Sequence, residues 1–281
     1  MKRIIKNILA MIALGTVLTS CSSNEDTPAT DELADITKFK EIVNDTHTIE
    51  LYSHMTVEQG YNEIKIRIKD NATNNYVKNA EVSWTPLMHM SMMTHSCPKS
   101  RVEKVTPNGT LYEGYIVFQM AQNDMEYWDL KIDYTINGTS YTTTPTIDVP
   151  ESTERRVNTF TGSDGEKYIV AYAEPHHPKV AVNDIVVGIF KMQDMMHFPV
   201  VDGYTLKIDP RMPSMGNHGS PNNVDAVQQK AGELYTGKMA LTMTGYWKIN
   251  LQLIKPDGTI VKGESITDSV PESSLYFDFE F

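Results

Sequence analysis

Apolar and polar residues alternate with a period of two along most of this chain. Ile64, Ile66 and Ile68, Val82 and Trp84, Ile116, Phe118 and Met120, and Trp128, Leu130 and Ile132 make one series. Tyr204, Leu206 and Ile208, Met239, Leu241 and Met243, and Trp247, Ile249 and Leu251 make a second. Such alternation turns one face to a core and the other to water, as half-buried antiparallel strands do. Asn137-Gly138, Asp164-Gly165 and Asp257-Gly258 supply hairpin turns, because asparagine, aspartate and glycine tolerate the left-handed backbone those turns need. No long helical stripe is present. About seven short strands per unit of roughly 110 residues predict an all-β chain of two tandem immunoglobulin-like β-sandwich domains. The first three strands of copy one, A, B and C, are expected near residues 48–53, 63–69 and 81–85.

The two series belong to a duplication. An offset of 123 residues lays Met92, His95, Pro98, Gly109, Leu111, Tyr112, Gly114 and Met120 over Met215, His218, Pro221, Gly232, Leu234, Tyr235, Gly237 and Met243 without a gap. Trp128 matches Trp247 after a four-residue insertion, and Asn62-Glu63-Ile64 resembles Asn183-Asp184-Ile185. Both copies stop matching near Pro150 to Arg156, a proline-containing polar stretch that reads as a linker. The expected division is a first domain over residues 39–150 and a second over residues 157–281.

Ahead of the first domain, Lys2, Arg3 and Lys6 precede an apolar run from Ile8 to Leu18, followed by Leu18-Thr19-Ser20-Cys21. The run is too short to span a bilayer, and small residues before a cysteine resemble a bacterial lipobox. Residues 1–20 are therefore expected to be a lipoprotein signal peptide, Cys21 the lipidation site, and residues 21–38 a flexible tether in the cell envelope, with the outer membrane as anchor. The acidic Ser-Ser-Asn-Glu-Asp start of that tether resembles the surface-export signal of Bacteroidetes lipoproteins. Formal charge is −11, and loss of three basic leader residues takes it to about −14, which argues against nucleic acid as a partner. With Cys21 acylated, Cys97 is the single remaining thiol, so no intramolecular disulfide can form. No nucleophile elbow, paired acids or phosphate loop points to an enzyme.

Sulfur and imidazole change the picture. Fourteen methionines lie beyond residue 20, and nine of them fall in three windows, residues 88–93, 192–196 and 212–215. Copy two reads Met212-x-x-Met215-x-x-His218, and the gap-free offset makes copy one His89-x-x-Met92-x-x-His95. Pro86 over Pro210 allows a second register in which Met88 replaces His89. Pro213 and Gly216 break regular structure, so these side chains are expected on a loop. Neutral thioethers and imidazoles suit a soft ion such as copper(I) or silver(I), whereas zinc, calcium and magnesium ask for thiolate, carboxylate or other oxygen donors. The candidate metal ligands are Met88, His89, Met92, His95, Cys97, Met212, Met215 and His218. His54, Met55, His176 and His177, in the loops between the first two strands of each copy, are possible additions. Met192, Met195, Met196 and His197 fall at the other end of copy two and are expected to cap its sandwich. The bland alternative for Met88, Met90 and Met92 is that strand C continues and buries them.

The order of an apolar strand, a Pro-x-Met-Pro-x-Met-x-x-His loop, a Gly-x-Leu-Tyr-x-Gly strand and a tryptophan strand resembles the YtkA-like domain family, related to FixH. The resemblance covers about four fifths of the mature chain as two copies. It implies an immunoglobulin-like fold and envelope metal handling, chiefly of copper, with envelope metal-handling or respiratory-assembly proteins as partners. Copy two carries the pattern at Met212, Pro213, Met215 and His218; copy one departs from it, lacking the intervening proline. The leading expectation is a membrane-anchored copper(I)-binding lipoprotein. Its rival is an adhesion or scaffold module without a metal, and a redox partner that uses Cys97 is a third.

Overall fold

A computed structural model describes residues 32–281, which form one compact unit. The leader, Cys21 and the start of the expected tether lie outside the described residues. The first half contains strands Thr37–Val43 (β1), His47–Ser53 (β2), Gly60–Asp70 (β3), Glu81–His89 (β4), Thr94–His95 (β5), Glu103–Lys104 (β6), Leu111–Phe118 (β7), Tyr127–Ile136 (β8), Thr139–Thr143 (β9) and Thr146–Ile147 (β10). The second contains Val157–Thr161 (β11), Lys167–Glu174 (β12), Val182–Lys191 (β13), Thr205–Met212 (β14), His218–Gly219 (β15), Val224–Gln228 (β16), Tyr235–Ala240 (β17), Tyr246–Ile254 (β18), Ile260–Lys262 (β19) and Tyr276–Glu280 (β20).

Each half is an immunoglobulin-like sandwich. In the first, β2-β3-β7-β6 form one sheet, with β1 added at its edge, and β4, β8 and β9 form the opposing one. These are the A-B-E-D and C-F-G layers of a constant-type domain. In the second half β12-β13-β17-β16 and β14-β18-β19 repeat the arrangement, but β16 pairs with both β17 and β14 and so joins the layers into one ten-stranded sheet.

The duplication holds in register and in hydrogen bonds. Ile64 pairs with Gly114, and Ile185 with Gly237. A β-carbon on Gly114 would lie 2.6 Å from Arg101 O and 2.7 Å from the Trp84 ring, and one on Gly237 would lie 2.5 Å from Val224 O. The repeated glycine is thus required where another segment crosses its strand. Asn62 Nδ2 donates to Glu58 O and Gly60 O, as Asn183 Nδ2 does to Lys179 O and Ala181 O. Trp128 Nε1 donates to Met120 O and Trp247 Nε1 to Met243 O, each at 3.0 Å.

The inward-facing residues of the period-two series build two separate cores, one around Trp84 and Trp128, the other around Trp247, Phe277 and Tyr235. A third apolar cluster joins the halves: Val117 of the first packs with Ile169, Ala171, Phe190 and Phe198 of the second, flanked by Tyr61, Tyr115 and Met192. Because β12 packs on both of its faces, residues 168–173 are all buried. The predicted turns are present, with Asn137 and Gly138 both at positive φ, and Gly165 and Gly258 at φ 80° and 88°. Residues 32–38, expected in the tether, include Glu32, whose carboxylate accepts the Thr110 N–H at 2.9 Å, and the start of β1.

Candidate functional site

Strand C of the first half runs four residues further than the alternation predicts, through Met88 and His89. The sulfur-rich block is therefore a β-hairpin: Met88 pairs with His95, His89 pairs with Thr94, and Met90 N–H donates to Met93 O across the tip. Pairing puts Met88 and His95 on one side of the ladder, and Met90 and Cys97 pack into the same core as Met88. His89 is on the other side, stacked on Tyr127 at 4.8 Å between ring centroids and 3.0 Å from Asp129 Oδ2. His89 and His95 cannot share a centre, so Met88 is the residue that corresponds to Met212. In copy two Met212 pairs with His218 in the same way; Met88 is the cross-strand partner of Trp128, and Met212 belongs to the same core as Trp247.

The expected ligands are divided by depth. Met88 and Cys97 are buried in the first core and Met212 in the second. Burial pushes the Cys97 thiol well up, so it stays protonated at neutral pH. Met92 is 92% exposed, and Met215, in the Pro213–Met215 3₁₀ turn, is 57% exposed. His218 is exposed as well. Of the three ligands expected in copy two, Met212 is drawn into the core by strand C, His218 is its cross-strand partner, and the turn carries Met215 into solvent. Among the described residues no group of three or more histidine, cysteine, aspartate or glutamate side chains is arranged to hold a metal ion. Thioethers fall outside that set.

His95 is the histidine best prepared for a ligand. Its Nδ1 donates to Ser96 O at 2.7 Å, and its ring stands edge-on to Trp128. That hydrogen bond leaves the lone pair on Nε2, the arrangement found in metal-ligating imidazoles.

His54, Met55 and His176, from the loops between the first two strands of the two copies, line one cleft of about 200 Å³ between the sandwiches, together with Arg156 and Tyr172. The hairpin does not line this cleft. His54 Nδ1 is 2.8 Å from Asp35 O, and His176 Nε2 is 3.3 Å from Glu174 Oε1. His177 is exposed outside the cleft.

Two features were missed by sequence reasoning. The first is the place of residues 192–197: this loop docks on the first half, where Ser96 N–H donates to Met195 O at 2.8 Å. The surplus of methionine in that window was the available signal. The second is a repeated exposed rim at the end of each sandwich. In copy one it consists of Met92 and Tyr127, and in copy two of their counterparts Met215 and Tyr246.

No family profile and no curated protein matches the chain. Solved structures with similar folds include the Escherichia coli adhesin FdeC, 11% identical with a TM-score of 0.23, over 73% of this chain and 57% of that one. This chain thus spans little more than half of that adhesin structure. A conserved domain protein from Bacillus anthracis is 9% identical with a TM-score of 0.32, over 87% of this chain and 91% of its own. A chimeric titin tandem is 12% identical with a TM-score of 0.17, over 73% of this chain and 89% of its own. None of these scores supports an inference about function. Among the described residues, no helix is long and apolar enough to cross a membrane.

Proposed function

We propose that this chain is a non-catalytic binding or scaffold module of the cell envelope, anchored through Cys21, whose two sandwiches act as one body. The observation that carries the reading is the repeated rim. Large apolar side chains exposed once are ordinary, but the same two residue types exposed at the same place in both copies mark a contact surface. Flexible methionine beside flat tyrosine suits a protein partner, since thioethers adapt their shape and tyrosine adds apolar area with a polar tip. The junction cluster fixes the spacing of the two rims. A photo-reactive phenylalanine analogue replacing Tyr127 or Tyr246 in growing cells should give discrete crosslinked species, and one replacing Ala72, at the opposite end of the first sandwich, should give none. Equal crosslinking from all three positions, or none from any, contradicts the reading.

The second reading is binding of a soft cation, copper(I) above all, and the free Nε2 of His95 beside a row of thioethers favours it. Neutral nitrogen and sulfur donors fit that ion. Silver(I) titration of the purified chain tests it: retention against a competing chelator supports this reading, and no retention rejects it.

A further inference from the structure

The two copies close one side of their sandwiches differently. In copy two β16 pairs with β17 on one edge and with β14 on the other, so a single strand bridges the layers. In copy one β6 takes the place of β16 but pairs with β7 alone, and the outer edge of β4 stays open above its hairpin. A groove of about 780 Å³ separates the two, with Val82 on the β4 side and Val102, Lys104 and Tyr112 on the other.

Corresponding tyrosines set the register of the comparison. The Tyr112 hydroxyl accepts the Ala80 N–H at 2.8 Å, as the Tyr235 hydroxyl accepts the Tyr204 N–H at 3.2 Å. Val82 therefore corresponds to Leu206, and Trp84 to Ile208. In copy two Leu206 pairs with Ala226, and the Ile208 N–H donates to Asp225 Oδ1 at 3.3 Å. In copy one Leu130, opposite Pro86, turns its N–H to Pro145 O, so by alternation Val82 and Trp84 turn their backbone groups away from β8. The N–H and C=O of Val82 and the N–H of Trp84 meet no hydrogen-bond partner among the described residues. The rest of this edge is guarded: Lys99 Nζ caps Trp84 O, Pro86 has no N–H, and Met88 pairs with His95. What remains open is the stretch that copy two covers with β16.

We propose that this groove accepts an extended segment of another protein, which adds a strand to β4 as β16 does to β14. Copy two supplies the chemistry of that segment. A small apolar residue belongs opposite Val82, where Ala226 lies opposite Leu206, and an acidic side chain before it accepts the Trp84 N–H, as Asp225 serves Ile208. An acidic residue also suits the lining: Lys78 and Lys104 stand there against Glu81 alone, in a chain of net charge −11. Lys104 Nζ meets only neutral oxygens, those of Pro107 O and Asn79 Oδ1. Main-chain bonds to the edge give such a segment its affinity, and its alternate side chains give specificity. The groove is separate from the rims, and the inference does not rest on them.

The probe is a fluorescent synthetic peptide with the sequence of residues 223–228, Asn-Val-Asp-Ala-Val-Gln, titrated against the purified chain and followed by anisotropy. Saturable binding is expected, with slower hydrogen exchange at the amides of Val82 and Trp84. Val82→Pro removes the outward donor and leaves the β4–β8 ladder intact, as Pro86 already does, and should weaken binding at least about tenfold. Lys104→Glu, which lies outside β4, should weaken it about threefold. Circular dichroism would confirm that each variant is folded. No saturable binding by wild type, or equal binding by wild type and both variants, would overturn the proposal. Dimerisation of the peptide-free chain in sedimentation, abolished by Val82→Pro, would also overturn it, because the edge would then belong to a second copy.

Discussion

The two hairpin ends began as copies and now differ in what covers them. In the first half the loop of residues 192–197 docks beside His95, and a tight tip returns the chain into β5. In the second, a proline-initiated 3₁₀ turn with Gly216 at φ 65° holds Met215 and His218 in solvent, and Asn217 Nδ2 ties the turn to Pro271 O. A sequence motif therefore does not specify a site. The same methionine and histidine pairing becomes part of a junction in one copy and an open rim in the other, according to what the rest of the chain brings alongside.

Substitutions can break or sharpen that comparison. The largest effect is expected at what the copies share: Trp128→Ala and Trp247→Ala should each destabilise by about 3–5 kcal/mol, because both rings are fully buried. Chemical denaturation measures this, and a loss confined to one copy would contradict their equivalence. Next, Met88→Ala and Met212→Ala should each cost about 2–4 kcal/mol, whereas Met92→Ala should change stability by less than about 0.5 kcal/mol. Equal costs at Met88 and Met92 would mean that the hairpin does not continue strand C. At the junction, Phe198→Ala should cost about 2 kcal/mol or more and split a single calorimetric unfolding transition into two. A single unchanged transition would mean that the cluster does not couple the halves.

The smallest expected effect separates the two first hairpins by pH. In copy one the turn before β2 is held by a neutral group, Asn44 Oδ1, which accepts the N–H of Thr46 and of His47. In copy two Asp164 takes that place. Burial raises its pKa, but hydrogen bonds from Lys255, Tyr168 and the Glu166 N–H, with the Lys255 charge, hold it down at about 2. A carboxylate whose folded pKa lies below the ordinary 3.8 contributes its full stabilisation above about pH 4 and loses it as pH falls toward 2. Asp164→Asn should cost at most about 2 kcal/mol near neutrality, and the difference from wild type should vanish near pH 2. A difference that stays constant across that range would contradict the ionised pair.

The sandwich architecture was legible because each strand has one wet face, and the alternation of Leu130, Ile132 and Tyr134 or of Leu206 and Ile208 records it directly. The glycine and tyrosine repeat was legible too, since close strand crossing and the tyrosine hydroxyl bonds of Tyr112 and Tyr235 demand fixed residues. The candidate site was legible only in part. Whether Met88 or His89 faces inward depends on where strand C ends, and proline and methionine at that boundary left the period undefined. The junction was hidden because its residues, Ile169 and Ala171, interleave with the core residues Val170 and Tyr172 of the same strand. Two-sided burial replaces alternation with an unbroken apolar run, which reads equally well as a buried strand of one domain. The meeting of residues 192–197 with Ser96 is a contact between copies, and neither copy's own pattern encodes it.

Everything proposed for the rims depends on the two sandwiches being held in one arrangement. Electron–electron resonance distances between spin labels at Ala72→Cys and Thr259→Cys, in the chain carrying Cys21→Ser and with Cys97 protected by burial, measure that arrangement in solution. One narrow distance distribution, broadened by Phe198→Ala, is the predicted result. A broad distribution in the chain with Phe198 intact would contradict the account.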